Sequence, residues 1–168
     1  YEAQRKEDER KEAWKQDQAV QREKAKEANT IIERIVGLSH PYLRDYILQR
    51  RIDYDIAKEY CKEVHYRIYD KSYYAIAFEN IEGGMEARNK YSKRSIGKKS
   101  ISIIRPNNEL HKECCIFEGF FDMLTYASIK RWITGNELCL PHECDYLVLN
   151  SVSNIKVLMP YLQEYTVI

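Results

Sequence analysis

A chain of 168 residues, 44% of them hydrophobic, is long enough to fold around one or two small cores. Its 27 lysines and arginines nearly balance its 26 aspartates and glutamates, so overall charge neither indicates nor excludes nucleic acid as a partner. No apolar stretch approaches the roughly 18 residues of a membrane span, and no signal segment opens the chain, which predicts a cytoplasmic protein without membrane contact.

The first part of the chain, residues 1–37, is predicted to be a charged helical linker. Residues 1–28 hold acidic and basic residues in equal number and lack Pro and Gly, which is typical of a solvated helix or a disordered linker. A basic arm for nucleic acid is the alternative, but the balanced charges disfavour it. The apolar residues Ala28, Ile31, Ile32, Ile35 and Val36 then recur at helical spacing, which predicts a helix that ends at Gly37.

Residues 38–110 are predicted to form an α+β subdomain. Ser39 with Pro41, and then Asp53, are typical starts of two short helices. From Val64 the apolar period changes to two, which predicts a hairpin over residues 64–79. Gly83 and Gly84 mark a second turn into a strand over 85–89, and residues 100–104 are expected to extend this antiparallel meander.

Residues 111–168 follow an α/β pattern. Short apolar strands are predicted over 114–117 and 146–149, helices over 120–132 and 154–162, and a third strand from Thr166 onward. This order predicts a parallel sheet. The fold class is therefore an α+β subdomain followed by an α/β subdomain that stops at its third strand.

Two carboxylates mark the carboxyl end of the first of these strands. Glu118 follows the apolar residues 115–117, and Gly119 permits a tight turn and the close approach of a ligand. Asp122 lies in the first turn of the next helix, where a carboxylate commonly serves only to stabilise the helix N-terminus. The pattern alone is weak evidence for a catalytic site.

One strongly basic stretch runs through Arg88, Lys90, Lys93, Arg94, Lys98 and Lys99, with Glu86 as its only acid. It is either a nucleic-acid surface or a solvated hairpin loop.

A zinc site formed by cysteine and histidine residues is a further candidate functional site. His111 with Cys114, and His142 with Cys144, are metal-ligand types, but no Cys-x-x-Cys pair repeats. The five cysteines are expected to be reduced thiols.

Several of these segments resemble a known family in its own order. The residues Ile116-Phe117-Glu118-Gly119-Phe120-Phe121-Asp122 resemble the first signature of the Toprim fold. The strand 74–78, the Gly83-Gly84 turn and Glu86-Ala87-Arg88-Asn89-Lys90-Tyr91 resemble the preceding region of DnaG-type bacterial DNA primases. Residues 42–57 resemble the helical opening of that primase core. The sequences of residues 118–122 and of Val148-Leu149-Asn150-Ser151 are most similar to those of short primase-like proteins of mobile genetic elements.

The resemblance implies a Toprim subdomain over 111–168 and synthesis of short RNA primers on single-stranded DNA from nucleoside triphosphates, with a replicative helicase as a further partner. It implies that Glu118 is a general acid or base beside Mg²⁺ or Mn²⁺ and contributes part of a metal site, that Asp122 matches a family position, and that the nucleic acid meets Arg88, Asn89, Lys90 and Lys93. Zinc is expected only in a module outside this chain.

The chain is expected to be a piece of a longer protein, because it starts without Met and stops where a strand opens. The family's Asp-x-Asp metal motif should follow Ile168 within a few residues, so this piece by itself is expected to be inactive. The alternative is a nucleic-acid-binding Toprim module, without polymerase activity, of a plasmid or transposon mobilisation protein. A Toprim nuclease is disfavoured by the region 88–91.

Overall fold

The computed structural model describes residues 2–133, 139–140 and 142–167. It opens with helix α1, Glu2–Ala28, which is the helical one of the two alternatives for the charged segment. Solvated pairs such as Arg5 with Glu9, at 3.4 Å, lie along it, and Trp14 is 65% exposed. No helix in the described part of the chain is both long and apolar enough to cross a bilayer.

The helix predicted over residues 28–37 is wrong, because Thr30–Gly37 is a strand, β1. It pairs antiparallel with β2, Lys62–Ile68, and the register shifts between Ile32 and Arg34. This bulge inserts one extra residue, so Ile32 and Ile35 lie on the same face of the sheet although they are three residues apart. A spacing of three, which indicated a helix, is here produced by a bulged strand.

The first sheet contains five antiparallel strands in chain order, β1 to β5. The predicted hairpin is confirmed as β2 and β3, Lys71–Glu79, followed by β4, Met85–Arg88, and β5, Lys93–Ile96. Two short helices connect β1 to β2: α2, Pro41–Gln49, and α3, Tyr54–Tyr60.

The two short helices begin at different kinds of cap. Asp53 caps α3 as predicted, because its carboxylate accepts from the backbone N–H groups of Asp55 and Ile56. The cap of α2 is His40 and not Ser39, because the His40 Nδ1 accepts from the N–H of Tyr42 at 3.3 Å.

The Gly83-Gly84 turn joins β3 to β4 as predicted, and both glycines are required there. Gly83 has a φ of 73°, in the left-handed region. A Cβ on Gly84 would lie 2.0 Å from the carbonyl oxygen of Lys98. Asn80 fixes the turn, since its Oδ1 accepts from the N–H of Gly84 and its Nδ2 donates to the Lys98 carbonyl.

The second sheet has the strand order β6-β8-β7. The strands β7, Cys114–Phe117, and β8, Asp145–Val148, run parallel, and helix α4, Phe120–Trp132, connects them as predicted. However, β6, Ser102–Ile104, pairs antiparallel with β8. The strand expected to extend the meander therefore belongs to the second sheet, which is mixed and not purely parallel.

The last segment also departs from the prediction. The helix expected over 154–162 is a succession of short turns: a 3-10 helix, Val152–Asn154, then α5, Ile155–Leu158, and a second 3-10 helix, Met159–Glu164. Pro160 has no N–H to donate to a continuing α-helix. The predicted third strand is present as one parallel bridge between Glu113 and Val167, and Ile168 lies outside the described residues.

The main core joins the two sheets. Helices α2, α3 and α4 pack together on one face of the first sheet, with Leu43, Ile47 and Ile76 almost completely buried. The ring of Phe78 on β3 stacks on that of Phe120 at the start of α4, with centroids 5.2 Å apart. This packing holds the start of α4, and with it the end of β7, against the first sheet.

Candidate functional site: a carboxyl edge beside a basic strand pair

The carboxyl ends of the two parallel strands lie at one edge of the second sheet. Immediately after them, the N–H of Leu149 donates to the carbonyl of Phe117 at 2.9 Å. Glu118 and Asn150 therefore leave the sheet at the same edge, where ligands of open α/β sheets bind. Glu118 is exposed, so its carboxylate is accessible to a ligand.

Gly119 and Asp122 form the start of α4. The φ of Gly119 is −140°, which is ordinary extended backbone that any residue adopts. The backbone conformation at this position therefore does not require a glycine. Asp122 is exposed, and its Oδ2 lies 3.5 Å from the position that a Cβ on Gly119 would take. The Asp122 carboxylate thus folds back on the helix N-terminus, where the helix dipole stabilises it, which favours the structural role.

The basic residues predicted to meet nucleic acid come next to this edge. Arg88 and Lys93 are direct partners in the pairing of β4 with β5, so they share a face of the sheet. That face packs toward α4, because the Cζ of Arg88 lies 4.6 Å from the ring centroid of Phe121. The structure therefore brings Arg88 and Lys93 to the helix that follows Glu118.

Asn89 and Lys90 occupy the turn between β4 and β5. The Asn89 Oδ1 accepts from the N–H groups of Tyr91 and Ser92, and its Nδ2 donates to the carbonyl of Tyr74 at 2.9 Å. The side chain of Asn89 is thus engaged in holding the turn to β3, whereas Lys90 is exposed. Asn89 positions the turn, and Lys90 is accessible to a phosphate.

The side chains of two other basic residues of the stretch have other partners. Lys98 forms an ion pair with Glu82. Arg94 lies on the opposite face of the sheet from Lys93, with its Cζ 5.4 Å from the centroid of Tyr66.

A cavity of about 320 Å³ connects the basic strand with the carboxyl edge. Its lining comes from β4, β5, the segment after β5 and the segment after β8: Glu86, Lys93, Arg94, Ser95, Lys99, Asn150 and Ser151. The basic residues Lys93 and Lys99 and the hydroxyl residues Ser95 and Ser151 thus border one space, an arrangement suited to a phosphate group.

Two buried polar residues of this cavity were missed by sequence reasoning. Glu86 is 4% exposed, and burial raises the pKa of its carboxyl, while the Ser95 hydroxyl that donates to it and the nearby lysines act in the opposite direction. Asn150, with a φ of 62°, donates to the carbonyl of Ser100 and the hydroxyl of Ser102. Its Oδ1 has no hydrogen-bond partner among the described residues. The alternation of Glu86 with Arg88 along β4 was the signal that could have placed Glu86 here.

The residues weighed as zinc ligands have other partners. The Nδ1 of His111 lies 2.7 Å from the buried carboxylate of Asp145, and His142 pairs with Glu113. Within the described ranges, no three His, Cys, Asp or Glu residues converge as a metal-binding group.

The cysteines are all free. The Sγ atoms of Cys115 and Cys144 are 3.7 Å apart, and burial raises the pKa of the Cys144 thiol to about 12. Burial thus favours the neutral form of this thiol.

Residues 32–97 match the model of a family described as a domain of unknown function, DUF8464. The matched segment runs from β1 to the end of β5 and thus corresponds to the first sheet with α2 and α3. No curated protein and no solved structure matches the chain.

Proposed function

We propose that this chain is part of the core of a DnaG-type DNA primase of the cytoplasm, whose parent protein makes short RNA primers on single-stranded DNA. The observation that carries the proposal is the contact of Arg88 with Phe121, at 4.6 Å. It brings together the two segments in which the family resemblance lies, 86–91 and 116–122, although they are distant in sequence.

The geometry supports a division of roles. Arg88 and Lys93 share one face of the sheet, and Lys90 is exposed in the turn between their strands. These three residues are the groups that would hold phosphates of the template strand or the incoming nucleoside triphosphate. Asn89 holds the turn that carries Lys90. The exposed Glu118 at the carboxyl edge would transfer the proton of the attacking hydroxyl.

The divalent metal that this chemistry uses needs several oxygen ligands. Within the described residues the carboxyl edge offers Glu118 and Asp122, and Asp122 is folded onto its own helix. These two residues do not fit a complete Mg²⁺ or Mn²⁺ site. What the present residues support is a nucleic-acid surface with one accessible carboxylate.

The test of this surface is the affinity of the chain for fluorescently labelled single-stranded DNA, measured by anisotropy across a salt series. The slope of log affinity against log salt is about 0.7 per phosphate contacted, so an Arg88→Ala/Lys90→Ala variant should lose about 1.4 units of slope. A matched control, Lys15→Ala/Arg22→Ala, removes two exposed cations from α1 and should change the slope little. Equal losses in the two variants, or no binding at the lowest salt, would refute the proposed surface.

The same surface fits the second candidate, a nucleic-acid-binding module of a mobilisation protein that lacks polymerase activity. Synthesis of short RNA on single-stranded DNA by the parent protein, with Mg²⁺ and nucleoside triphosphates, separates the two. A primase makes labelled primers and loses this activity with Glu118→Gln, whereas the binding module makes none. The replicative helicase proposed as a partner belongs to the first candidate.

A further inference from the structure

A second cavity lies on the other side of the β4–β5 turn, against helix α2. It holds about 430 Å³, and five of its eleven lining residues are tyrosines, among them Tyr42 of α2, Tyr73 of β3 and Tyr91 of the turn. Cavities of this size suit small ligands, and an aromatic lining suits flat ones. Lys90, two residues along the chain from Arg88, also lines it. Lys90 therefore belongs both to this cavity and to the residues proposed to bind phosphates.

The rings of this cavity are unusually accessible. Tyr42 is 71% exposed and Tyr91 is 89% exposed, although each ring is large enough to favour burial. In the described part of the chain neither hydroxyl forms a hydrogen bond. Exposed aromatic rings beside a cation are the arrangement with which proteins stack the bases of single strands, because every base has an aromatic face.

The turn that presents Tyr91 is fixed before any ligand arrives. The N–H of Tyr91 donates to the Oδ1 of Asn89 at 2.9 Å, and the same oxygen accepts from Ser92. The Nδ2 of Asn89 in turn donates to the Tyr74 carbonyl on β3. Since the backbone is held at both ends of this network, a stacking ligand does not have to order the turn.

Helix α2 supplies polar groups to the same cavity. Asp45 and Gln49 both line it, are four residues apart on one face of the helix, and are exposed. An ionised carboxylate only accepts hydrogen bonds, so Asp45 selects a partner with N–H donors. Among the bases, the Watson–Crick edge of guanine presents two adjacent N–H groups, whereas that of thymine presents one N–H between two carbonyl oxygens that repel a carboxylate.

We propose that this cavity takes one nucleobase of the bound single strand, preferably guanine, which stacks on Tyr42 and Tyr91 while Asp45 accepts from its Watson–Crick edge. The proposal rests on the proposed function, since it adds base recognition to a strand whose phosphates meet Arg88 and Lys90. A base is favoured over a peptide because Lys90 lines the same cavity as the aromatic groups, so a cation for the phosphate backbone accompanies rings on which a base can stack.

The test uses anisotropy with three labelled oligothymidylates that differ at one central position, which is guanine, thymine or an abasic site. The guanine strand should bind about tenfold more tightly than the abasic strand, with thymine between them. A Tyr42→Leu/Tyr91→Leu variant should lose most of this difference and keep its affinity for the abasic strand. The matched Tyr42→Phe/Tyr91→Phe variant retains both rings and should keep the difference.

Asp45→Asn should reduce the preference for guanine over thymine and leave the effect of the rings. Equal affinity of the unaltered chain for the three oligonucleotides, or equal behaviour of the Leu and Phe variants, overturns the base cavity. If binding still depends on salt in that case, the proposed function is not affected. Absence of binding to every strand overturns both. A proline-rich peptide could also bind the chain. If the Tyr42→Leu/Tyr91→Leu variant loses this binding and keeps its affinity for all three oligonucleotides, the cavity is a peptide site and the proposal is overturned.

Discussion

The guanidinium of Arg88 lies over the ring of Phe121, with its Cζ 4.6 Å from the ring centroid. Phe121 is almost completely buried in the first helical turn after Glu118, so the ring gives the guanidinium a rigid surface. At this distance the guanidinium is within range of a cation–π interaction with the ring. The contact thus fixes a cation of the first sheet relative to the carboxyl edge of the second.

This contact predicts an energetic coupling between the two residues. In a double-mutant cycle with Arg88→Ala and Phe121→Leu, the unfolding free energies should show a coupling of about 0.5–1 kcal/mol, because the leucine keeps an apolar group and removes the ring face. The matched control is Arg50, whose Cζ lies at 5.8 Å from the same ring and should couple more weakly. Additive effects of Arg88→Ala and Phe121→Leu would show that the contact carries no stabilisation.

The close packing of the turn between β3 and β4 predicts that one methyl group added at Gly84 strongly destabilises the fold. Gly84→Ala places a Cβ 2.0 Å from the Lys98 carbonyl oxygen, so the backbone must shift, at a cost of about 2 kcal/mol or more. Thermal unfolding should show a melting temperature about 4 °C or more lower. Gly37→Ala is the matched control, since its Cβ meets no atom within 4 Å and its effect should be small. A Gly84→Ala protein as stable as Gly37→Ala would contradict the close approach.

A pH dependence is predicted from Glu63, which is 3% exposed and joins β2 to the start of α2. Burial alone would raise its pKa, but the N–H groups of Ser39 and His40 and the ring of His65 lower it overall. A depressed pKa in the folded state means that the carboxylate stabilises the fold above the ordinary glutamate pKa of about 4.3. That stability is lost as the pH falls below it, through the pKa of the folded state.

Urea unfolding at several pH values, compared with Glu63→Gln, measures this contribution. At neutral pH the variant should be less stable by about 1 kcal/mol or more, and the difference should shrink between pH 5 and pH 3. Glu33→Gln, at an exposed position of the neighbouring strand, should show a much smaller difference throughout. A Glu63→Gln difference that stays constant from pH 3 to pH 7 would exclude the ionised carboxylate as its source.

Local signals in the sequence were sufficient for much of the fold. Helix α4 was predicted with its observed bounds, because a buried strand, a glycine and an uninterrupted apolar face mark it. The hairpin of β2 with β3 was predicted by strict alternation around a short turn. In these elements the local period and the tertiary packing agree.

The errors arose where pairing partners decide the structure. The bulge between Ile32 and Arg34 gives β1 a helical spacing, and only its pairing with β2 makes it a strand. Likewise Ser102–Ile104 has too few residues to indicate a sheet, and its place beside β8 follows from its antiparallel pairing with Tyr146, Leu147 and Val148. Neither relationship is local, so neither could be predicted from periodicity.

The candidate site was predictable in its parts and not in its assembly. Glu118, Arg88 and Lys90 were marked by residue type and family resemblance. The position of Arg88 over Phe121 and the burial of Glu86 depend on how the sheet face packs on α4. The separate role of Asn89 also required the structure, because its three hydrogen-bond partners come from two chain segments.

The most direct test of the account is a photocrosslinking measurement at the carboxyl edge. The photoreactive residue p-benzoylphenylalanine replaces Glu118 in one protein and, as a matched control, the exposed Glu33 of β1 in another. Labelled single-stranded DNA should crosslink at position 118 far more than at position 33. The signal should fall with added salt and with Arg88→Ala/Lys93→Ala. Equal yields at the two positions, or DNA that binds without crosslinking at 118, would contradict the claim that the basic strand pair and the carboxyl edge form one nucleic-acid surface.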